Sequence, residues 1–134
     1  MASYRATLRF LYGLQLRGRK LGLSNTPGLL AFLGQPQREF PAFHIAGTNG
    51  KGSTCAMIES GLRAAGVRTG LFTSPHLHEP TERIRIDGVP VEDATLIDAF
   101  ERIEAVRGEV PLTFFEFGTL AAFALARSRV RAKN

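Results

Sequence analysis

His44-Ile45-Ala46-Gly47-Thr48-Asn49-Gly50-Lys51-Gly52-Ser53-Thr54 is the stretch that sets the fold expected of this 134-residue chain. Phe43 and Ile45 supply a β-type apolar alternation that ends at a glycine-rich turn. Three glycines in the six residues 47–52 let the backbone fold tightly and turn its N–H groups toward one point. A helix opening at the hydroxyl pair Ser53-Thr54 aims its positive dipole end at the same point, which suits a polyphosphate. Lys51 is placed to neutralise the outer phosphates, and the Ser53 or Thr54 hydroxyl to complete a Mg²⁺ shell. The spacing departs from the standard phosphate loop: its first glycine would fall at Ile45, and a Ser or Thr would follow the lysine directly. The competing reading is a glycine turn that only joins strand to helix; the lysine and two hydroxyls favour a nucleotide.

Outward from the loop, Pro41 to Ala46 reads as a first strand. Gly52 to Ala65 reads as the helix, closed by Gly66 at a left-handed cap. Arg68 to Phe72 is a second strand, and Met57, Ile58 and Leu62 are expected to face the sheet. Strand, helix and strand within about 30 residues imply a parallel, right-handed unit. The fold class is therefore α/β, a P-loop-type parallel sheet flanked by helices. The segment 73–82 follows the C-terminal end of the second strand, where open α/β sheets bind ligands. Ser74 there either reaches Mg²⁺ or caps its own loop. His76 and His78, at i and i+2, make a poor metal clamp without further ligands.

Elsewhere Leu8, Leu11 and Tyr12 recur at helical spacing after Ser3, a possible cap. Arg17-Gly18-Arg19-Lys20 is a basic segment, either a solvated linker or the holder of an anionic or ring-bearing substrate. Asn25-Thr26-Pro27 starts a helix that Gly34 stops. Residues 84–91 alternate around Asp87-Gly88, a strong hairpin signal. A helix then runs from Glu92 or Asp93 to Arg107 with Leu96, Ile97, Phe100 and Ile103 on one face. Thr113-Phe114-Phe115-Glu116 has the form of a capping box before the apolar run Leu120 to Leu125. Phe114, Phe115 and Phe117 are then candidates for core or for a pocket wall.

Apolar content of 44% with 22% charged residues excludes a disordered chain. No apolar run approaches the ~20 residues of a membrane span, and no signal-peptide pattern opens the chain. The one cysteine, Cys55, excludes an internal disulfide and suits a reducing cytoplasm; a small buried thiol is its expected role. A net charge of +5 hints at nucleic acid, but four cations lie in the last eight residues, and the remainder carries only +1. Neither nucleic acid nor membrane is an expected partner.

The glycine loop does not stand alone. Leu21-Gly22-Leu23 precedes it, and Thr73-Ser74-Pro75-His76-Leu77, Glu82-Arg83-Ile84-Arg85 and Thr113-Phe114-Phe115-Glu116 follow it in a fixed order. Together, between Tyr12 and Ala126, these motifs resemble folylpolyglutamate synthase and dihydrofolate synthase of the Mur ligase superfamily. The resemblance implies a cytoplasmic ATP-dependent ligase that joins L-glutamate to dihydropteroate or a tetrahydrofolate through an acyl phosphate. It implies ATP binding by Thr48, Asn49, Gly50, Lys51, Gly52 and Ser53, with Lys51 catalytic, and Mg²⁺ at Ser53 and Ser74. It implies a pteroate pocket of Arg19, Lys20, Leu21, Thr113, Phe114, Phe115 and Glu116. By the same resemblance, residues 1–134 are the N-terminal, truncated portion of a Mur-ligase-like ATPase domain, without the glutamate-binding C-terminal domain and inactive alone. A different Mur-type ligase acting on a cell-wall precursor, and a non-catalytic nucleotide-binding or interaction fragment, are the alternatives.

Overall fold

The structure, a computed structural model, describes residues 3–15, 26–74 and 80–130. Helix α1, Tyr4–Gln15, begins at Ser3, whose Oγ accepts the Ala6 amide at 3.2 Å. Helix α2, Thr26–Phe32, ends where Gly34 turns left-handed (φ 85°), as a C-terminal glycine allows. The Gln35 amide then reaches back to the Leu30 carbonyl and the Gly34 amide to Ala31, so two otherwise orphaned carbonyls are satisfied. A short 3₁₀ turn, Pro36–Arg38, follows. Helix α3, Lys51–Ala64, closes in the same manner: Gly66 takes φ 85° and the Val67 amide bonds to the Leu62 carbonyl at 3.0 Å. Helix α4 spans Asp93–Arg107 and helix α5 spans Phe114–Val130.

Strands β1 (Gly70–Phe72), β2 (Ile84–Ile86) and β3 (Val89–Pro90) form a three-stranded sheet in that order, antiparallel throughout. Phe72 faces Ile84 across the first pair, and Ile86 faces Val89 across the second. Asp87 (φ 51°) and Gly88 (φ 82°) are both left-handed, the geometry that a two-residue hairpin with the native strand twist requires.

The expected parallel sheet is not present among the described residues. Residues 41–47 are not a strand, and Phe43 is 71% exposed. The physical reason lies in pairing: β1 bonds to β2 of the hairpin, and no other described strand runs beside residues 41–46. A parallel strand is stable only when its ladder is filled and its faces are covered. Met57, expected on the sheet, is likewise 69% exposed, while Ile58 and Leu62 are half-buried.

The core sits instead between α1, α2, α4, α5 and the sheet. Leu11, Leu29, Ile84, Leu96, Ile103 and Leu120 are among its buried members. Three rings join the long helices: Phe100 stacks on Phe117 at 5.2 Å, and Phe10 meets both edge-on at 5.4 and 5.9 Å. Arg107 lies over this cluster, 5.6 Å from the Phe10 ring and 5.7 Å from Phe117, and pairs with Glu104. At the far end of α5, Arg127 donates to the Leu33 carbonyl at 2.9 Å and pairs with Glu39 at 3.2 Å. The basic stretch after Ala126 thus continues the helix to Val130 and caps the C-terminal end of α2.

Candidate functional site

The loop before α3 takes the form that its glycines dictate. Gly50 is the N-cap residue at φ 75°, a conformation that a side chain resists. A Cβ added at Gly47, Gly50 or Gly52 would meet nothing within 4 Å, so the cradle opens to solvent rather than onto protein. Residues 46–53 are all exposed. Thr54 supplies the first intrahelical amide bond, to the Gly50 carbonyl at 3.0 Å, and its Oγ1 donates to the same carbonyl at 2.8 Å. The amides of Lys51, Gly52 and Ser53 precede it in the helix, where no intrahelical acceptor exists. Lys51 Nζ donates to the Gly47 carbonyl at 2.8 Å, holding the ammonium across the loop. An open cradle of first-turn amides beside an ammonium fits a phosphate chain. Of the expected loop residues, Thr48, Asn49, Gly50, Lys51, Gly52 and Ser53 therefore share one exposed turn. The hydroxyl of Thr54, by contrast, is engaged with the backbone.

Helix α3 and strand β1 pack together and are joined through the turn at Gly66. Ser74 is exposed, two residues beyond the end of β1. Phe72, the last residue of β1, meets Phe115 of α5 at 6.1 Å between ring centres. The start of α5 is thereby joined to the end of β1.

Thr113 and Glu116 form the capping box in full. Glu116 Oε1 accepts the Thr113 amide at 3.1 Å and its hydroxyl at 2.9 Å, and Thr113 Oγ1 accepts the Glu116 amide at 3.2 Å. Glu116 is buried, Phe117 is core, and Phe115 is 53% exposed beside Phe72. Of the aromatic residues proposed for a pocket wall, Phe115 presents a ring to solvent, whereas Phe117 does not. The Phe114 side chain, and the whole of Arg19, Lys20, Leu21, His76 and His78, lie outside the described residues. No cluster of three or more metal-binding His, Cys, Asp or Glu occurs among the described residues, and no helix there is long and apolar enough to cross a membrane.

Two further features are Arg83, from the motif Glu82-Arg83-Ile84-Arg85, and Glu59, which no motif marks. Arg83 lines a cavity of about 40 Å³ between Leu11, Phe72, Leu96 and Phe117, and burial pushes its guanidinium below the ordinary value, partly offset by Tyr12. Glu59, at 7% exposure, is the one buried residue of α3. It accepts from Arg63 Nε at 2.9 Å and from Thr69 Oγ1 at 2.7 Å. The bond from Arg63, with further help from Thr69 and the Arg85 charge, holds the Glu59 carboxyl below its ordinary value against burial. The i,i+4 spacing of Glu59 and Arg63 was the available signal.

No family model matches the chain. It is 42% identical over 118 residues to the dihydrofolate synthase/folylpolyglutamate synthase of Escherichia coli K12, covering 88% of this chain and 28% of that protein. The Mycobacterium tuberculosis protein of the same name is 40% identical over 115 residues, with 76% and 24% covered. A Yersinia pestis bifunctional folylpolyglutamate synthase/dihydrofolate synthase complexed with AMPPNP and Mn ion superposes with a TM-score of 0.88 at 41% identity. That match covers 96% of this chain and 31% of the other. Escherichia coli FolC in complex with DHPP and ADP gives 0.89 at 38%, with 95% and 31% covered. The chain spans less than a third of the length of these relatives.

Proposed function

We propose, from the premise that this chain is a homologue of folylpolyglutamate synthase/dihydrofolate synthase, that it serves ATP-dependent ligation of L-glutamate to dihydropteroate or a folate. The observation that carries the reading is the Gly50-capped, solvent-open loop with Lys51 tied across it, on a backbone like that of relatives solved with AMPPNP or ADP. In this ligation ATP supplies the phosphoryl group that activates the substrate carboxylate, and the glutamate amine then displaces phosphate to form the amide.

The chain's own residues bind and neutralise. The amides of Lys51, Gly52 and Ser53 donate to phosphate oxygens, and Lys51 exchanges the Gly47 carbonyl for a phosphate as its acceptor. Thr48 and Asn49 complete the loop. Ser53 and Ser74 offer hydroxyl oxygens to Mg²⁺. Phe115, beside the Thr113–Glu116 cap, forms an aromatic wall on which a pterin ring stacks, with Arg19, Lys20, Leu21 and Phe114 completing the pocket. In this reading residues 1–134 are the N-terminal portion of an ATP-binding Mur-ligase-like domain, and glutamate is held by the portion of the relatives outside the match.

Calorimetric titration of Mg-AMPPNP into the 134-residue chain tests the nucleotide half. Saturable binding displaced by ADP is expected, and its absence overturns the reading. Dihydropteroate is expected to displace a fluorescent pterin analogue in competition, whereas a cell-wall peptide precursor is not. Robust glutamate ligation by these residues alone would contradict the placement of the glutamate site.

A further inference from the structure

Helix α3 bears the glycine loop, yet Glu59 is its one buried side chain, a carboxylate rather than an apolar anchor. That carboxylate is the centre of a polar chain crossing three elements. Thr69, 5% exposed and just before β1, donates its hydroxyl to Glu59 Oε1, and its amide donates to Asp87 Oδ1 at 3.0 Å. The Asp87 amide returns a bond to the Thr69 carbonyl at 2.9 Å. Arg63, bonded to Glu59, lies flat against the hairpin turn: a Cβ on Gly88 would fall 2.7 Å from its Cζ. Glycine at position 88 suits its φ of 82°, and a Cβ there would have to displace the guanidinium beside it. Arg68 also pairs with Asp87 at 3.1 Å, fastening the same turn from the strand side.

We infer that Glu59 is a positioning residue for the loop 47–53, locking α3 through Arg63 and Thr69 to the Asp87–Gly88 turn so that loop and hairpin move as one body. The inference rests on the nucleotide reading for the identity of the ligand, but the latch itself is a property of the protein without ligand. With few apolar contacts to hold it, α3 depends on this polar chain for its angle to the sheet, and a tilt of the helix would disperse the first-turn amides.

Amide hydrogen exchange of the whole chain without nucleotide decides the matter, with Glu59→Gln and Thr69→Val as the two variants. Glu59→Gln keeps an acceptor but removes the charge; Thr69→Val removes the hydroxyl and keeps the shape. Each is expected to raise exchange across residues 51–64 by about tenfold while α4 and α5 stay within about twofold of the parent. Gly88→Ala, which displaces the guanidinium from the other side, is expected to do the same. AMPPNP affinity should fall in parallel with the exchange gain. Unchanged exchange in α3, or an equal rise everywhere, overturns the latch. Should AMPPNP fail to bind the parent chain, the nucleotide reading falls, and the exchange data still judge the latch. If Glu59→Gln does not fold, Thr69→Val and Gly88→Ala decide between the same two outcomes.

Discussion

Lys51 Nζ lies 2.8 Å from the Gly47 carbonyl oxygen, so the ammonium is tied across its own loop. The bond is exposed and local, and an exposed bond of this kind contributes little to folding. Substituting Lys51→Met is therefore expected to leave the melting temperature within about 2 °C of the parent. Affinity for Mg-AMPPNP, by contrast, is expected to fall by about tenfold or more, the worth of a charge-assisted bond to phosphate. Calorimetry beside a thermal melt separates the two effects. A large loss of stability with unchanged affinity would place Lys51 in the scaffold instead.

The Thr113–Glu116 box gives a prediction on stability. Removing an N-cap hydroxyl costs about 1 kcal/mol, so Thr113→Ala should lower the melting temperature by roughly 3–5 °C. Thr113→Ser retains the hydroxyl and is expected to restore most of that. Circular dichroism melts of the three proteins check it. Because the cap explains both side chains, a pterin analogue that still binds Thr113→Ala with unchanged affinity would confine the residue to capping.

Acid should loosen the α3 attachment. Arg63 and then Thr69 and Arg85 hold the Glu59 carboxyl below its ordinary value of 4.5 in the folded chain. Its ionised form is favoured by folding, so the contribution is fully present above about pH 4.5 and is lost as pH falls through the lowered folded value. Asp87, bonded to Thr69, is the other carboxylate in the chain of contacts. Urea midpoints measured from pH 7 down to pH 3 are expected to fall more steeply for the parent than for Glu59→Gln. Parallel curves would remove Glu59 from the acid response.

Phe117, 2% exposed, meets Phe10, Phe100 and the Arg107 guanidinium. Truncation to alanine opens the centre of the helical core and is expected to cost about 3–5 kcal/mol. Phe117→Leu should cost less, and a cycle with Arg107→Met should reveal a coupling of roughly 0.5–1 kcal/mol from the cation over the ring. Denaturant titrations of the parent, the two single variants and the double variant measure it. Additivity within error would mean that Arg107 acts through Glu104, the Val110 carbonyl and Phe10 rather than through the Phe117 ring.

The boundaries that the sequence made legible are those set by a few adjacent residues. Ser3 caps α1, Gly34 and Gly66 end α2 and α3 left-handed, Asp87-Gly88 turns the hairpin, and Thr113 with Glu116 opens α5. Each is a local conformational or hydrogen-bonding demand that a short sequence meets by itself. The loop fell in the same class, because glycine spacing and the following helix are both local.

Strand pairing is a different kind of fact. Residues 41–46 have a strand's composition, but a strand exists only if another backbone fills its ladder, and β1 gave its partnership to β2. Nor does an apolar residue on a helix announce its neighbour: Met57 is open to solvent while Glu59, two residues on, is buried because Arg63 and Thr69 meet its charge. Adjacent residues suffice for the caps, the turns and the glycine–lysine loop. Which strands pair, and which side of α3 is covered, follows from packing, because those outcomes depend on partners distant along the chain.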